Sequence, residues 1–344
     1  VGVAASARSM IQRAMLERRV RRSLAEARAG LVRLSRRPGG LSSEFKRRAE
    51  AYSGDVFGTR QHAPWLHLYS ECRGEFREGW LPVSYYFSEV LDRANGGYQH
   101  MARHRAANTA LFGSDAFPDL AYCVNGRLMW ADYTPCDPSE LAGQAKDLVF
   151  KPDHSGFGRG IRFLSARDLD AARIARLGNG VLQPRLIPHD SFAQIDMPSL
   201  ATLRIGTVVG HDGEVSVRTA YLKMGRKAES HVISASQVRV PVDWRTGLLA
   251  ADGYLADWTP VTAHPDTGDS FAGRSLPGLD EFVEIVTSLH RKLPLARYLC
   301  WDLVRDASGR IRVLEWEGGV VSFAEATQGP CFADLGWARG QSNG

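Results

Sequence analysis

Residues 298–317 read YLCWDLVRDASGRIRVLEWE, and how this stretch folds back on itself decides the architecture. Two apolar runs, Tyr298–Val304 and Ile311–Leu314, flank Arg305–Arg310 with Ser308-Gly309 at its middle, which is the pattern of a β-hairpin. Folding it back brings Asp302 beside Glu315 and Glu317, and residues two apart on a strand share one face. Three carboxylates converging at the mouth of a sheet cannot all stay ionised without a cation. Hard oxygen donors in that arrangement suit magnesium, often with nucleotide phosphates completing the shell. Equally open, on these residues alone, is a hairpin in which Asp302 caps a turn and the glutamates are solvated.

The chain around this hairpin has 344 residues, 44% hydrophobic and 24% charged, enough for two or three subdomains with cores of their own. No run of 18 apolar residues is present, so no transmembrane helix is expected, and no apolar secretory segment opens the sequence. The five cysteines, Cys72, Cys123, Cys136, Cys300 and Cys331, are odd in number and lack CxxC spacing. That argues against a disulfide framework and structural zinc, and for a reducing, cytoplasmic setting. The net charge of +5 hides an asymmetry: residues 1–48 hold 12 Arg and one Lys against three Glu, about +10, which leaves about −5 for the remainder. No aromatic residues interleave with these arginines, so a single-strand nucleic-acid platform is not expected. A solvated or docking helix is expected instead, with contact to a protein or an anionic membrane through residues 1–48 left open. The chain is expected to be a homo-oligomer.

Met10, Ile11, Met15, Val20, Leu24, Leu31 and Leu34 give a helical apolar stripe over residues 5–37, one or two helices ended by Pro38-Gly39-Gly40. A second helix follows from Ser43 to Tyr52. Residues 53–80 read as irregular, and 84–112 as partly helical with a break at Asn95-Gly96-Gly97. From Leu120 short apolar runs alternate with turns: Ala121–Val124, Leu128–Trp130, Leu148–Lys151, Ile161–Leu164, Val181–Pro184, Leu203–Val209, Val215–Met224 and Val238–Val242. A helix from Leu279 to Leu293, with Phe282, Ile285, Val286 and Leu289 on one face, precedes the hairpin. The class is α+β with much antiparallel pairing. The expected division is a basic helical extension (1–52), a substrate-side region (53–120), a small subdomain (121–190) and a large one (191–344).

Four further stretches carry chemistry. In residues 148–161 a strand delivers Lys151, then a loop with Gly156, Gly158 and Gly160, then another strand. Glycines let backbone N–H groups approach phosphates, and the lysine adds a point charge. The loop fits neither GxxxxGK[ST] nor GxGxxG opening a helix. Residues 181–190 run from an apolar strand into Gln183-Pro184-Arg185-Leu186, where Pro184 and Pro188 prevent a helix and the backbone could face a flat ring. Arg204 in Thr202-Leu203-Arg204 and Lys223 in Leu222-Lys223-Met224 sit inside apolar strands, which is costly unless an anion or carboxylate meets them. His264 in Ala263-His264-Pro265-Asp266-Thr267-Gly268 is a lone loop histidine and is not assigned a catalytic role.

Taken in order, these motifs resemble the ATP-grasp superfamily, and most of all its sugar-transfer-associated branch, related to α-L-glutamate ligases. The resemblance runs from about Pro82 to Gln328. It implies an ATP-grasp fold, two α+β subdomains clasping ATP between antiparallel sheets, here with an N-terminal helical extension. It implies ATP and Mg2+ (or Mn2+) as cofactors, small-molecule carboxylate and amine substrates, and a carbon–nitrogen ligase working through an acyl phosphate, in cell-surface sugar, peptide or secondary-metabolite synthesis. A kinase-like phosphotransferase or a degenerate nucleotide-binding module are the alternatives. Position by position, it implies that Lys151 contacts the α- and β-phosphates. Gly156, Gly158 and Gly160 would cover them. Gln183, Pro184, Arg185 and Leu186 would form the adenine hinge, with backbone groups of Arg185 and Leu186 reading the ring. Asp190 would meet the ribose. Arg204 and Lys223 would face the γ-phosphate and acyl phosphate, and Asp302, Glu315 and Glu317 would hold metal. Two departures stand out. Arg105, in His104-Arg105, replaces a phosphate-binding lysine, and Glu317 stands where the family usually has asparagine.

Overall fold

The computed structural model describes residues 2–35, 40–113, 115–156, 158–193 and 200–338, with side chains in the first helix from Met10 onward. That helix, α1 (Gly2–Leu34), is continuous. Its Ala-, Arg- and Leu-rich sequence has high intrinsic helicity and no proline. Pro38 and Gly39, expected to end it, lie outside the described residues. Gly30 permits the closest approach of α1 to the body: a Cβ there would come within 2.7 Å of Leu68 and Trp258. The second helix, α2 (Ser43–Phe57), starts where the Ser42 hydroxyl accepts the Phe45 N–H at 3.1 Å and ends at Gly58 in the left-handed region, φ 71°.

The expectation of irregular chain over residues 53–80 is wrong. It contains the end of α2 and a helix α3 (Ala63–Arg73) entered through Pro64. Trp65, Leu66, Leu68 and Tyr69 are all buried, so successive residues are covered on nearly every side and the sequence shows no amphipathic period. With Trp80, Trp258, Tyr298, Phe323 and Phe332 they form an aromatic core that seats α1–α3.

Two antiparallel sheets follow, giving the α+β class expected. The smaller has strands β1 (Ala121–Val124), β2 (Arg127–Trp130), β3 (Asp147–Pro152), β4 (Arg162–Ser165) and β5 (Gly180–Pro184) in the order β2-β1-β5-β3-β4. Asn125 and Gly126, φ 52° and 76°, turn β1 into β2, as a two-residue hairpin requires. One face is covered by α4 (Pro138–Gln144) and α5 (Ala171–Leu177) through Leu141, Ile174 and Leu177 against Leu148, Phe150 and Leu182. The other face carries Lys151, Gln183 and Tyr122.

The larger sheet has strands β6 (Thr202–Val209), β7 (Val215–Met224), β8 (Val238–Pro241), β9 (Gly253–Leu255), β10 (Pro260–Val261), β11 (Tyr298–Arg305) and β12 (Ile311–Gly318), in the order β10-β9-β8-β7-β6-β11-β12. The helix α6 (Leu279–Arg291) packs Phe282, Val286 and Leu289 under Leu203, Ile205 and Trp301. The three- and two-residue strands β9 and β10 were not anticipated, being too short to show alternation. No helix among the described residues is long and apolar enough to cross a membrane.

Two stretches of connecting chain link the sheets. Residues 98–112 form short helical turns between them, joined to β12 by the Trp316 indole N–H on the Asn108 side-chain oxygen at 2.9 Å. The chain leaving β5 lies along the β11–β12 turn, with His189 N–H on Arg305 O at 2.9 Å and Ala307 N–H on Ile187 O at 2.8 Å.

A short helix α7 (Ser322–Thr327) closes the aromatic core and buries Glu325 completely. Its carboxylate accepts the N–H groups of Leu81 at 2.8 Å and Cys331 at 2.7 Å. Burial nevertheless dominates and pushes its pKa from 4.5 up to about 8. A folded-state pKa above the unfolded one means that the folded protein holds this proton more tightly. The stability it brings is full below about pH 4.5 and is lost as pH rises to about 8. The urea midpoint is therefore expected to fall between about pH 6 and pH 9, and to fall much less in Glu325→Leu. An equal fall in both proteins would remove Glu325 as the cause.

Candidate functional site

Strand register builds the site. Arg204 on β6 stands opposite Asp302 on β11, which stands opposite Glu315 on β12; Thr202 pairs with Lys223 on β7, and Cys300 with Glu317. Side chains two apart share a face, so Arg204, Lys223, Asp302, Glu315 and Glu317 all rise from the face opposite α6. Arg204 grips Asp302 with two parallel bonds, Nε–Oδ1 2.6 Å and Nη2–Oδ2 2.8 Å, and reaches Glu317 Oε1 with Nη1 at 2.5 Å. Lys223 Nζ donates to Asp302 Oδ2 at 2.8 Å. The hairpin expectation, and the expectation that the two strand cations meet anions, hold.

From the small-sheet side come Lys151 and Arg105. Lys151 Nζ donates to the Leu314 carbonyl at 3.1 Å. That carbonyl is available because the β11–β12 register shifts between Asp302 and Leu303, leaving Leu314 as the extra residue of a β-bulge. Arg105 spans the gap. It donates to Pro152 O at 2.8 Å and to Glu315 Oε1 at 2.9 Å, and its own N–H is held by Asp153 Oδ1 at 2.9 Å. Its planar fork thus ties the glycine loop to a carboxylate of the other sheet.

Electrostatics follow from burial and pairing. Burial would raise the Asp302 carboxyl, but Arg204 and Lys223 overcome it and hold it well below the usual carboxylate range. Burial opposes the Arg204 guanidinium, and Asp302 and Glu317 more than offset that, raising its pKa. Glu315 is pushed upward, chiefly by burial, with Arg105 offsetting part and Glu317 and Asp302 adding to it. Lys151 is pushed downward by burial, against the pull of Glu315. The three carboxylates stay compatible because the protein's own cations separate them. The cation expected among them is supplied first by the protein's own Arg204, Lys223 and Arg105.

This bears on metal. Among the described residues no group of three His, Cys, Asp or Glu side chains is disposed as a ready metal site. Both Asp302 oxygens are taken by Arg204 and Lys223, whereas Glu315 and Glu317 each have one oxygen bonded to an arginine and the other without a hydrogen-bond partner among the described residues. Their side chains are 33% and 40% exposed, against 7% for Asp302. The donors fit a hard divalent cation through Glu315 and Glu317, with Asp302 joining only after Arg204 or Lys223 turns away.

The remaining expected residues divide. Gly158 and Gly160 have φ of 77° and 73°, and the Gly158 carbonyl accepts His231 Nε2–H at 2.9 Å from the loop after β7. Gly156 lies in the same loop, and Phe157 between them lies outside the described residues. Gln183 is buried, and its side chain donates to Asp119 Oδ1 at 2.7 Å. Pro184 ends β5. The Arg185 N–H is spent on Asp147 O at 2.9 Å, so the expectation that Arg185 reads a ring narrows to its carbonyl; the Leu186 N–H has no partner among the described residues. Asp190 is exposed at the start of a short helix, Asp190–Ala193, and makes no bond to the charged centre among the described residues.

Asp119 was missed. It accepts from Gln183, from Asn108 Nδ2 at 3.0 Å and from the Tyr122 hydroxyl at 2.9 Å. Burial raises its pKa and these three donors oppose that. The signal available was a carboxylate immediately before an apolar strand, Pro118-Asp119-Leu120. His264 is buried with Nε2 on Gly225 O at 3.0 Å, a structural role.

Residues 175–319 match the family described as sugar-transfer associated ATP-grasp. The matched segment is less than half the chain; it includes β5, Arg204, Lys223 and all three hairpin carboxylates but not Lys151, the glycine loop or Arg105. No curated protein matches by sequence. Among solved structures, an ADP complex of N5-carboxyaminoimidazole ribonucleotide synthetase (purK) is similar at 13% identity and TM-score 0.38, over 62% of this chain and 44% of that one. An L-amino acid ligase from Bacillus licheniformis is similar at 13% identity and TM-score 0.40, over 69% and 48%. The ATP-grasp ligase PsnB with minimal precursor is similar at 17% identity and TM-score 0.33, over 72% and 62%. The chain thus spans about half to three fifths of the length of these structures.

Proposed function

We propose, from the premise that residues 175–319 carry a sugar-transfer associated ATP-grasp module, that the chain is an ATP-dependent carboxylate ligase. The observation that carries this reading is the charged face of the large sheet. It sets Arg204 and Lys223 opposite Lys151 and Arg105 of the small-sheet side, with Asp302, Glu315 and Glu317 between them. In the proposed reaction a substrate carboxylate oxygen attacks the γ-phosphorus of ATP and the bond to the β-phosphate oxygen breaks, releasing ADP. An amine then attacks the acyl carbon, losing a proton, and inorganic phosphate leaves. Such transfer asks for positioning and charge neutralisation, not a protein nucleophile.

Each side chain has a part. Lys151 and Arg105 hold the inner phosphates, under the loop of Gly156, Gly158 and Gly160. Arg204 and Lys223 meet the charge of the transferring phosphoryl group, oriented by Asp302. The Arg185 carbonyl and Leu186 N–H read the adenine edge. Magnesium, held by Glu315 and Glu317, would neutralise phosphate oxygens when bound, while Asp302 keeps Arg204 and Lys223 aimed. The substrate carboxylate is assigned to a sugar acid, amino acid or peptide, the first on the sugar-transfer description of the matched family and the others on the resemblance to α-L-glutamate ligases. All five cysteines are free thiols, which supports a cytoplasmic setting.

Hydroxylamine trapping tests the reading. With ATP, magnesium, a carboxylate pool and hydroxylamine, the protein is expected to release ADP and form a hydroxamate, which only an acyl phosphate yields. ADP without hydroxamate would replace the ligase with a phosphotransferase, no ADP from any carboxylate pool would count against the ligase, and no binding of ATP would sink both.

A further inference from the structure

The proposed reaction leaves the outer face of α1 unused. Leu16, Val20, Ser23, Ala27, Gly30 and Leu34, spaced by steps of four and three, form the stripe that seats α1 on the body. About half a turn away runs a second stripe with the same steps, Ile11, Met15, Arg18, Arg22, Ala25, Ala29 and Val32, all exposed. Met10, Arg21 and Arg28 flank it, also exposed. Met10, Ile11, Met15 and Val32 are 64, 59, 67 and 63% exposed and make up four of the eleven large hydrophobics exposed among the described residues. The helix's two acids are engaged: Glu17, exposed and one turn from Arg21, pairs with Arg13 at 3.3 Å, and Glu26 accepts the Trp258 indole N–H at 3.3 Å. Arg18, Arg21, Arg22 and Arg28 make no ion pair among the described residues.

We propose that this face lays α1 flat on an anionic lipid bilayer. Unpaired arginines would meet lipid phosphates while the Met10, Ile11, Met15 and Val32 side chains enter the headgroup boundary, the arrangement of an interfacial amphipathic helix. A second copy of the chain fits poorly, since pairing along the stripe sets Arg18 and Arg22 against their own images. Charge fixes the orientation: beyond residue 48 the chain carries about −5, so an anionic surface attracts α1 and repels the remainder.

Co-sedimentation of the full chain with vesicles tests this. Phosphatidylcholine vesicles containing about 30% phosphatidylglycerol should bind it and pure phosphatidylcholine should not, and binding should weaken as salt rises. Arg18→Ala/Arg22→Ala is expected to reduce partitioning about thirtyfold, and Ile11→Ser/Met15→Ser to reduce it as well; both pairs lie on the exposed face, so unchanged urea unfolding serves as the folding control. No binding, equal binding to neutral vesicles, or indifference to both variants overturns the proposal. So does a dimer through α1 that excludes vesicles.

Discussion

Arg204→Met is expected to lower the free energy of unfolding by about 3–5 kcal/mol near neutral pH, the cost of leaving a buried partner unpaired. The side chain is 12% exposed and serves two carboxylates, one of them Asp302 at 7% exposure. Removing it strips Asp302 of two charge-assisted bonds and leaves Lys223 as its sole neutralising partner. The pH dependence follows from the sign of the Asp302 shift. Its pKa lies below the unfolded value of 3.8, so the stability it confers is present above that value and is lost as pH falls through the folded pKa. The variant has less of this stability to lose. Its deficit against the wild type should therefore shrink on acidification into the carboxylate range, which urea melts at several pH values would show. A deficit below about 1 kcal/mol at neutral pH, typical of an exposed pair, or one independent of pH, would show the pairing to be marginal.

Asp302→Asn should lower kcat for ADP formation by about 100- to 1000-fold, the range for loss of one preorganised charge-stabilising group. The amide keeps the size of the carboxylate but carries no charge and sets an NH2 donor where one of its two accepting oxygens was, so the two cations lose the group that aims them. KM for ATP should change less, because Lys151 and Arg105 are untouched. Steady-state kinetics on the two proteins side by side would decide. Activity within about threefold of the wild type would mean that Arg204 and Lys223 need no anchor. An inactive wild type would instead count against the ligase reading itself.

The sequence made some parts of this site legible and hid others for identifiable reasons. The β11–β12 hairpin and β7 were readable because apolar runs there are bounded by turn residues, and Arg204 and Lys223 stood out as charges inside apolar strands. Their partner was not readable. Arg204 meets Asp302 through the β6–β11 register, between strands 98 residues apart in sequence, and nothing local encodes that pairing. The carboxylates therefore looked like a metal cluster when their first neighbours are protein cations. The helix α3 was missed because burial on all sides erases periodicity, and Asp119 because its three donors come from residues 108, 122 and 183.

The extra residue in β12 has a further consequence. Ile311, Val313, Glu315 and Glu317 all carry odd numbers, yet Ile311 and Val313 lie in the apolar core while the two glutamates face the charged cleft. Leu314 is the frame-shift that reconciles them, since beyond it the core position passes to Trp316. Were Leu314 taken into a regular ladder instead, strict alternation would point both acids at α6; the bulge is what keeps them on the cleft face. Point substitutions at Glu315 or Glu317 can retune the chemistry one group at a time. A single-residue deletion between Val313 and Glu315 would leave both acids on the cleft face and remove instead the carbonyl that anchors Lys151, so the inserted residue serves the small-sheet side of the cleft through its backbone, whatever its side chain.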